Sequence, residues 1–269
     1  MTLVIKTEQV YHSNGSANAK YFGLQFHNEG LEEYLGDRVN KRFYDLEGTA
    51  AAIEEFSDLE LTGFTRTSLA AIFSSQPSVI PWKIAETFVE CYFEDFLNIQ
   101  FPYNGSRDAK NPKASLAGAD IVGFTYENDN VVLVFGEVKT SNDASYPPNV
   151  VYGRTGLKYQ INDLISSWKT RSSLIRWLYF RIKSHDNRDA IMPDFKKAVA
   201  IYIKSRFEKM KIFGVLVRDV QPNDADLKRQ YDTLITGLKS LTQLELLAFY
   251  LPVRISDLST KIGGNSSGT

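Results

Sequence analysis

The 269-residue sequence has little of what marks secreted or membrane-spanning proteins. Its single cysteine, Cys91, excludes an internal disulfide and fits a reducing compartment. Because Cys91 lies on an apolar helical pattern, we expect a packed core thiol rather than a nucleophile. No apolar run approaches the roughly 20 residues that span a bilayer, and the start, MTLVIKTEQVYH, lacks the pattern of a secretory leader. We therefore expect a cytoplasmic protein without membrane contact.

Histidine is scarce as well, and net charge is almost absent at −1. The three histidines, His12, His27 and His185, show no metal-ligand spacing, so we assign them no metal role. The charges are nevertheless unevenly distributed. Residues 1–150 contain 11 Lys and Arg against 21 Asp and Glu, a net of −10, whereas residues 151–218 contain 15 against 5, a net of +10. A basic segment in an acidic chain indicates an anionic partner such as DNA, with a solvated helical face as the alternative.

Apolar spacing predicts the secondary structure from Pro81 onward, whereas residues 1–80 give no clear pattern. Helices that alternate with strands predict an α/β fold with α+β character, in which a central mixed sheet is flanked by helices. We divide the chain into an N-terminal region, 1–80, a main domain, 81–262, and a flexible tail, 263–269. The predicted elements are helix 82–97, strands 99–103, 119–125 and 131–140, helices 156–169, 172–185 and 194–210, strand 212–218, helix 225–241 and strand 244–253.

The strand VVLVFGEVKT ends in an acid and a base. Side chains alternate along a strand, so Glu137 and Lys139 emerge on one face where the apolar run ends. The preceding strand begins after Asp120, and a hairpin across the turn ENDN brings Asp120 close to them. Two carboxylates suit Mg²⁺, or Mn²⁺, and Lys139 can position or deprotonate a water. A surface ion pair is the alternative, because an Asp followed by E-x-K also arises by chance.

Asp120 in GADIVGF, with Glu137 and Lys139 in FGEVKTS, resembles the motif of the PD-(D/E)xK nuclease superfamily. Ala119 stands where that motif has a proline. The resemblance implies a restriction-endonuclease-like core, ordered as helix, three strands, helix and strand, that binds a metal ion and cuts phosphodiesters. The predicted elements from 82–97 to 212–218 supply that order.

Two further site residues follow from this resemblance. The first helix of the superfamily often adds a glutamate to the metal site, and Glu86 matches it best. Glu90 and Glu94 remain alternatives, since all three glutamates lie on one i, i+4 row. The helix after the lysine strand often presents a glutamine or lysine, which Gln160 matches better than Lys158. The expected catalytic set is therefore completed by Glu86 and Gln160, with Glu86 as a third metal ligand.

A chain of this length with WKIAETFVECYFED, GADIVGF, FGEVKTS and LKYQINDL in this order is similar, more narrowly, to the HamA family. HamA proteins are nuclease subunits of the Hachiman anti-phage defence system of bacteria. The resemblance implies Mg²⁺-dependent cleavage of DNA with little sequence preference, a superfamily 2 helicase partner (HamB) and no small-molecule cofactor. The acidic region 1–80 is interpreted as partner-binding. A restriction- or repair-type nuclease and a non-catalytic, nuclease-like interaction subunit are the alternatives.

Overall fold

A computed structural model describes residues 4–13, 15–56, 63–73, 77–108, 118–128 and 130–263 of the chain. Its centre is one seven-stranded mixed sheet. The strands are β1 (Thr7–His12), β2 (Ala19–Phe26), β3 (Ile99–Gln100), β4 (Ile121–Glu127), β5 (Asn130–Ser141), β6 (Met210–Arg218) and β7 (Thr242–Tyr250).

Helices cover the sheet and connect its strands. The α-helices are α1 (Leu31–Tyr34), α2 (Asn40–Phe43), α3 (Leu46–Glu54), α4 (Gly63–Phe73), α5 (Pro81–Leu97), α6 (Gly105–Asp108), α7 (Leu157–Ser166), α8 (Trp168–Lys183), α9 (Arg188–Lys204), α10 (Lys228–Leu234) and α11 (Leu258–Gly263). A π-helical segment, Leu35–Val39, joins α1 to α2, and short 3₁₀ segments cover Asn149–Val151, Asp224–Asp226, Ile235–Gly237 and Ile255–Asp257.

The strands are ordered β1-β2-β7-β6-β5-β4-β3. The central pairs β2–β7, β7–β6 and β6–β5 are parallel, and the pairs nearer the edges are antiparallel. Helix α5 packs on one face, where the Phe93 ring lies 4.8 Å from that of Phe213. Helix α7 covers the other face. There, its Ile161 lies so close to Gly214 of β6 that a Cβ added at this glycine would contact it. The predicted mixed sheet flanked by helices is confirmed.

Helix α5 illustrates how the sequence forms its elements. Pro81 occupies the first turn, where the missing N–H costs nothing. Asn98 ends the helix with a φ of 51°, a left-handed conformation that asparagine tolerates. Apolar residues at helical spacing, including Phe88 and Phe93, are buried against the sheet, and Cys91 is a buried free thiol as expected.

Several predicted boundaries were wrong. The helix expected over 156–169 ends at Ser166, because the Ser167 side chain accepts a hydrogen bond from the Thr170 N–H and starts α8. Residues 168–171 thus belong to the next helix. The helix expected over 194–210 ends at Lys204, since Arg206 and Phe207 adopt positive φ angles of 56° and 67°.

Two other predicted elements are shorter than expected. The strand predicted over 99–103 covers only Ile99–Gln100, since Pro102 cannot donate to a ladder. The helix predicted over 225–241 is broken into 3₁₀ and α-helical pieces that end at Gly237.

Residues 1–80 contribute to the same sheet as the rest of the chain. Strand β2 pairs with β7 over Ala19–Gln25, and β1 forms the sheet edge. The sequence boundary at residue 80 is therefore not a boundary of the sheet. The expected flexible tail lies outside the described residues except for Gly263, which ends α11. Among the described helices, none combines the length and apolar character needed to cross a membrane.

Candidate functional site

Asp120 and Glu137 meet at the open end of the β4–β5 hairpin. The pairing of Ile121 with Gly136 places the residue before β4 opposite Glu137. The Asp120 Oδ2 atom accepts a hydrogen bond of 2.9 Å from the Val138 backbone N–H. The strand register thus brings together the two acids that sequence analysis paired across the turn.

Gly136 allows β6 to approach β5 directly before the acid. A Cβ at Gly136 would lie 2.4 Å from the carbonyl oxygen of Phe213, closer than side chains are found. A larger residue would push the strands apart at this point. The glycine therefore maintains the backbone position from which Glu137 projects.

Glu137 and Lys139 form an ion pair on one face of β5. The Lys139 Nζ atom donates to Glu137 Oε1 at 2.6 Å. Glu137 is only 4% exposed, and the Lys139 side chain is 22% exposed. Since the Asp120 carboxyl lies beside this pair, one ammonium group faces two carboxyl groups. The cluster is therefore short of positive charge.

A cavity of about 390 Å³ opens beside these residues. Its lining includes Asp120, Glu137 and Lys139 from the hairpin, Glu86 from α5 and Gln160 from α7. All five side chains that the sequence predicted for the site therefore line one cavity, although they come from three separate segments of the chain.

Gln160, which lines this cavity, has an unsatisfied buried group. Its side-chain oxygen, Oε1, is buried and has no hydrogen-bond partner in the part of the chain that the structure describes. Buried amide oxygens are normally hydrogen-bonded, and exceptions call for a functional explanation. The first turn of α7 thus carries a hydrogen-bond acceptor without a partner in the described residues, on a side chain that lines the site.

The three glutamates of the α5 row have different surroundings. Glu86 lines the site cavity. Glu90 accepts a 2.8 Å hydrogen bond from Arg42, and Glu94 is paired with both Arg42 and Arg38. The geometry therefore favours Glu86 over the other two as the helix contribution to the site, and the metal role of Glu86 stays a prediction.

Burial raises the pKa values of the acids that line the cavity, and mutual repulsion adds to the rise at Glu86 and Glu137. Burial raises the pKa of Glu137 to about 8, with the Asp120 carboxylate adding to the rise and Lys139 opposing it. Burial raises the pKa of Glu86 to about 10, and the charges of Asp120, Glu90 and Glu137 add to it. The pKa of Asp120 is raised too, chiefly by burial. Perturbed acids that line one cavity are a mark of functional sites.

The chemistry of these donors fits a hard divalent cation. Carboxylate oxygens are the ligands that Mg²⁺ prefers, and a cation relieves the repulsion between acids. Within the described ranges, however, no three His, Cys, Asp or Glu side chains have the mutual spacing of a preformed metal site. Asp120 and Glu137 are adjacent, so a metal bound by Glu86 as well requires side-chain movement.

Three residues around the site were not predicted from the sequence. Trp82 lines the cavity from the first turn of α5. The Tyr103 hydroxyl donates to the backbone oxygen of Asp120 at 3.3 Å. Arg42 binds the Tyr103 carbonyl oxygen and Glu90. These contacts join distant segments, and no local pattern in the sequence indicates them.

The basic segment forms an exposed surface on α8 and α9. Helix α8 packs next to the site, since the Trp177 ring lies 4.9 Å from Tyr103, which contacts Asp120. Other cations of these helices form ion pairs, as Arg181 does with Asp108. The exposed cations of α8, α9 and the following turn that form no ion pair within the described residues are Lys169, Arg176, Lys183, Lys196, Lys204 and Arg206.

Comparison with known proteins identifies the family. The chain has no match among curated proteins. A family model described as HamA matches residues 2–258, which is nearly the whole sequence and includes every residue of the candidate site. The chain therefore belongs to the HamA family, which is associated with Hachiman antiviral defence.

Proposed function

We propose that the chain is a Mg²⁺-dependent deoxyribonuclease of the PD-(D/E)xK type that acts in anti-phage defence. The observation that carries the proposal is the convergence of Asp120, Glu137 and Lys139 at the open end of one hairpin, in a chain of the HamA family. Glu86 and Gln160 line the same cavity and complete the set that the superfamily pattern suggests.

Asp120, Glu137 and Glu86 would hold the Mg²⁺ or Mn²⁺ ion. When bound, the ion would stabilise negative charge on the scissile phosphate and lower the pKa of a coordinated water. Glu86 and Glu137 have raised pKa values, so they release protons when their carboxylates take up a cation. The affinity for the ion should therefore increase as the pH rises.

Lys139 and Gln160 act on water and phosphate. The Lys139 ammonium group can hold a phosphate oxygen or the attacking water by a hydrogen bond while it stays next to Glu137. The Oε1 atom of Gln160, which has no partner among the described residues, would accept a hydrogen bond from the same water once the side chain turns toward it, and would orient that water. Together they would fix the line of attack.

The exposed cations of α8 and α9 would bind the DNA backbone. Phosphate contacts provide affinity without reading the base sequence, which agrees with cleavage of little sequence preference. Because α8 packs against Tyr103 next to Asp120, phosphates bound along this helix lie near the hairpin.

A superfamily 2 helicase of the HamB type is the proposed partner. Its proposed docking region is residues 1–80, which contain 6 Lys and Arg against 11 Asp and Glu. Excess negative charge of this kind binds a basic protein surface and repels DNA. The nuclease would thus receive its partner and its substrate on surfaces of opposite charge.

A non-catalytic interaction subunit is the second candidate function. The close contact between Lys139 and Glu137 favours it, since a purely structural ion pair has the same geometry. A restriction- or repair-type nuclease would instead share the site and differ in its products.

Plasmid cleavage distinguishes these functions. The full chain, alone and with its helicase partner, would be incubated with supercoiled plasmid and Mg²⁺, next to Glu137→Ala and Lys139→Ala. The matched controls are Asp224→Ala and Lys228→Ala, which break an exposed ion pair outside residues 1–80 and outside α8 and α9. We expect a continuous smear of products that both site variants abolish and both controls retain.

The other outcomes are equally informative. Discrete fragments would favour a restriction-type enzyme. Cleavage that persists in Glu137→Ala and Lys139→Ala would refute the site. Intact plasmid under every condition, with and without the helicase, would favour the non-catalytic subunit.

A further inference from the structure

Arg42, in the short helix α2, is a nearly buried cation that joins three segments of the chain. Its side chain is 10% exposed. Its Nε atom donates to Glu90 Oε2 at 2.8 Å, its Nη1 atom to Glu94 Oε1 at 2.9 Å, and its Nη2 atom to the carbonyl oxygen of Tyr103 at 3.3 Å. A second bond secures α2 itself, since Asn104 Nδ2 donates to the Arg42 backbone oxygen at 2.8 Å.

Through α5, Arg42 influences the position of Glu86. Glu86, Glu90 and Glu94 are four residues apart, so they lie on one side of the helix. An arginine that holds the second and third members of this row fixes the rotation of α5 about its axis. That rotation determines whether Glu86 points into the cavity that Asp120 and Glu137 line.

Through Tyr103, Arg42 also influences the position of Asp120. Arg42 holds the backbone of Tyr103, and the Tyr103 hydroxyl donates to the Asp120 backbone oxygen at 3.3 Å. A small cavity of about 50 Å³ has Arg42, Glu86, Glu90 and Asp120 in its lining, so the arginine and these acids border one space. Both flanks of the candidate metal site are therefore attached to one guanidinium group.

The charge of Arg42 has a second effect. Glu90 is buried, and Arg42 is the cation bonded to it. Without that cation, a buried carboxylate would share the small cavity with Glu86 and Asp120 and would compete for a divalent ion. The planar guanidinium can serve two carboxylates and a carbonyl oxygen at once, which a lysine ammonium on a flexible stem does less well.

We infer that Arg42 is a positioning residue for the nuclease site: it holds Glu90 out of the metal coordination and aligns Glu86 and Asp120 through α5 and Tyr103. The inference rests on the proposed function, because it assumes that the acids bind a metal ion. It assigns part of the N-terminal region to the active-site structure, in addition to its proposed docking role.

The test measures metal dependence separately from the maximal cleavage rate. In the full chain, Arg42→Met and Arg42→Lys would be compared with Lys41→Met. Lys41 is the residue before Arg42, and its substitution breaks only an exposed ion pair with Asp37. Two quantities would be measured for each variant: the Mg²⁺ concentration at half-maximal cleavage, and the dissociation constant for Mn²⁺ by electron paramagnetic resonance. Thermal melting would establish that each variant is folded.

We expect Arg42→Met to raise both metal constants by about 10- to 100-fold, which is the usual cost of losing a partner that orients metal ligands. Arg42→Lys should fall between Arg42→Met and the wild type, and Lys41→Met should match the wild type within about twofold. A purely structural role would lower the fraction of active protein and leave both metal constants unchanged. Metal constants equal to those of the wild type in a folded Arg42→Met would therefore overturn the inference.

Two further variants keep the test decisive if Arg42→Met does not fold. Arg42→Met combined with Glu90→Gln removes both members of the buried pair, which is better tolerated than removal of one. Tyr103→Phe deletes only the hydroxyl that holds Asp120, and a rise in the metal constants of a few-fold is expected. Unchanged constants in both would contradict the inference. A wild type that neither binds Mn²⁺ nor cleaves would refute the proposed function itself.

Discussion

Two neighbouring stretches of α5 carry glutamates that are paired with cations to different degrees. Around Glu94, the carboxylates of Glu90, Glu94 and Asp95 meet the guanidinium groups of Arg38 and Arg42. The charges there are nearly balanced by the protein itself.

Two turns earlier, Glu86 shares a cavity with Asp120 and Glu137, where Lys139 forms an ion pair with Glu137 and Lys83 also acts on Glu86. Burial is the first cause of the raised pKa values of these acids, and repulsion between carboxylates adds to the rise at Glu86 and Glu137. Burial raises the pKa of Glu94 as well, but there Arg42 and Arg38 oppose the rise. A balanced network needs nothing from outside, whereas an unbalanced one gains free energy from a bound cation. The contrast within one helix therefore distinguishes structural charges from those that serve the proposed chemistry.

The basic charges show the same distinction. In residues 4–56, each cation that the structure describes is within an ion pair, such as Lys6 with Glu29 or Lys20 with Glu245. On α8 and α9, several exposed cations have no carboxylate partner within the described residues. Cations without a carboxylate partner among the described residues suit the proposed contact with a phosphate backbone.

The largest expected effect concerns the pH dependence of stability. Burial raises the pKa of Glu137 in the folded protein to about 8 from its ordinary value of 4.5, so the folded protein binds the proton more tightly than the unfolded chain. Its contribution to stability is present at low pH and is lost as the pH rises from about 4.5 to 8. Glu137→Gln should remove this loss and gain about 2–4 kcal/mol relative to the wild type between pH 5 and pH 9. Denaturant unfolding at both pH values measures the difference.

Glu94→Gln is the matched control, because the same substitution is made within the balanced network. It should lower stability by about 1–3 kcal/mol, since it leaves part of the Arg38 and Arg42 charge unpaired. It should change the pH dependence less than Glu137→Gln does, because both arginines oppose the rise that burial causes in the pKa of Glu94. An equal response of the two variants to pH would remove the distinction between the two regions.

Mg²⁺ should stabilise the folded protein through the acids around Asp120 and Glu137, and not through the Glu90–Glu94 network. A ligand at 100 times its dissociation constant stabilises the folded state by about 2.7 kcal/mol. At pH 8 the wild type should therefore melt at a higher temperature with saturating Mg²⁺ than with EDTA. Glu137→Gln should show little or none of this shift, and Glu94→Gln should retain it in full. A shift of the same size in all three proteins would indicate nonspecific binding.

A comparison of two glutamates on one helix sharpens the contrast in activity. Glu86→Gln removes a proposed metal ligand and should lower Mg²⁺-dependent cleavage by at least the roughly 10- to 100-fold that loss of a ligand-orienting partner causes. Glu94→Gln should cleave within about twofold of the wild type once corrected for the folded fraction. If Glu86→Gln cleaves normally, the third ligand is not Glu86.

The smallest expected effect concerns binding of DNA. The triple variant Lys169→Gln, Lys196→Gln and Lys204→Gln removes unpaired cations from α8 and α9. It should reduce the slope of log affinity against log salt concentration by about 1 to 3, since each phosphate contact contributes about 1. Fluorescence anisotropy with a labelled duplex in EDTA measures the slope.

The control triple variant removes three paired lysines, by Lys6→Gln, Lys20→Gln and Lys41→Gln. Its slope should equal that of the wild type. A larger loss of slope in this control would mean that DNA lies on the acidic N-terminal side of the molecule.

Much of the site followed from the sequence because a hairpin obeys simple rules. Period-two alternation put Glu137 and Lys139 on one side, and antiparallel pairing put Asp120 beside them. The choice among Glu86, Glu90 and Glu94 was different, because helical spacing places all three on one flank. Their surroundings depend on arginines about 50 residues earlier, which local spacing does not reveal.

The same limit applied to the fold. Helix α5 was predicted within one residue because Pro81 and its apolar period are local signals. Strand β2 was not assigned, since it pairs with β7, more than 200 residues later in the chain. The helix expected over 156–169 was too long because the cap at Ser167 competes with an apolar pattern that continues through it.

The central claim is that the acid excess around Asp120 and Glu137 is a divalent metal site. A crystal of the full chain soaked in Mn²⁺ and measured at the manganese absorption edge tests it directly. We predict an anomalous peak bounded by the Asp120 and Glu137 carboxylates, and no peak at the balanced Glu90–Glu94 network. A map with no peak beside Asp120 and Glu137, or with manganese only at Glu90 and Glu94, would contradict the claim.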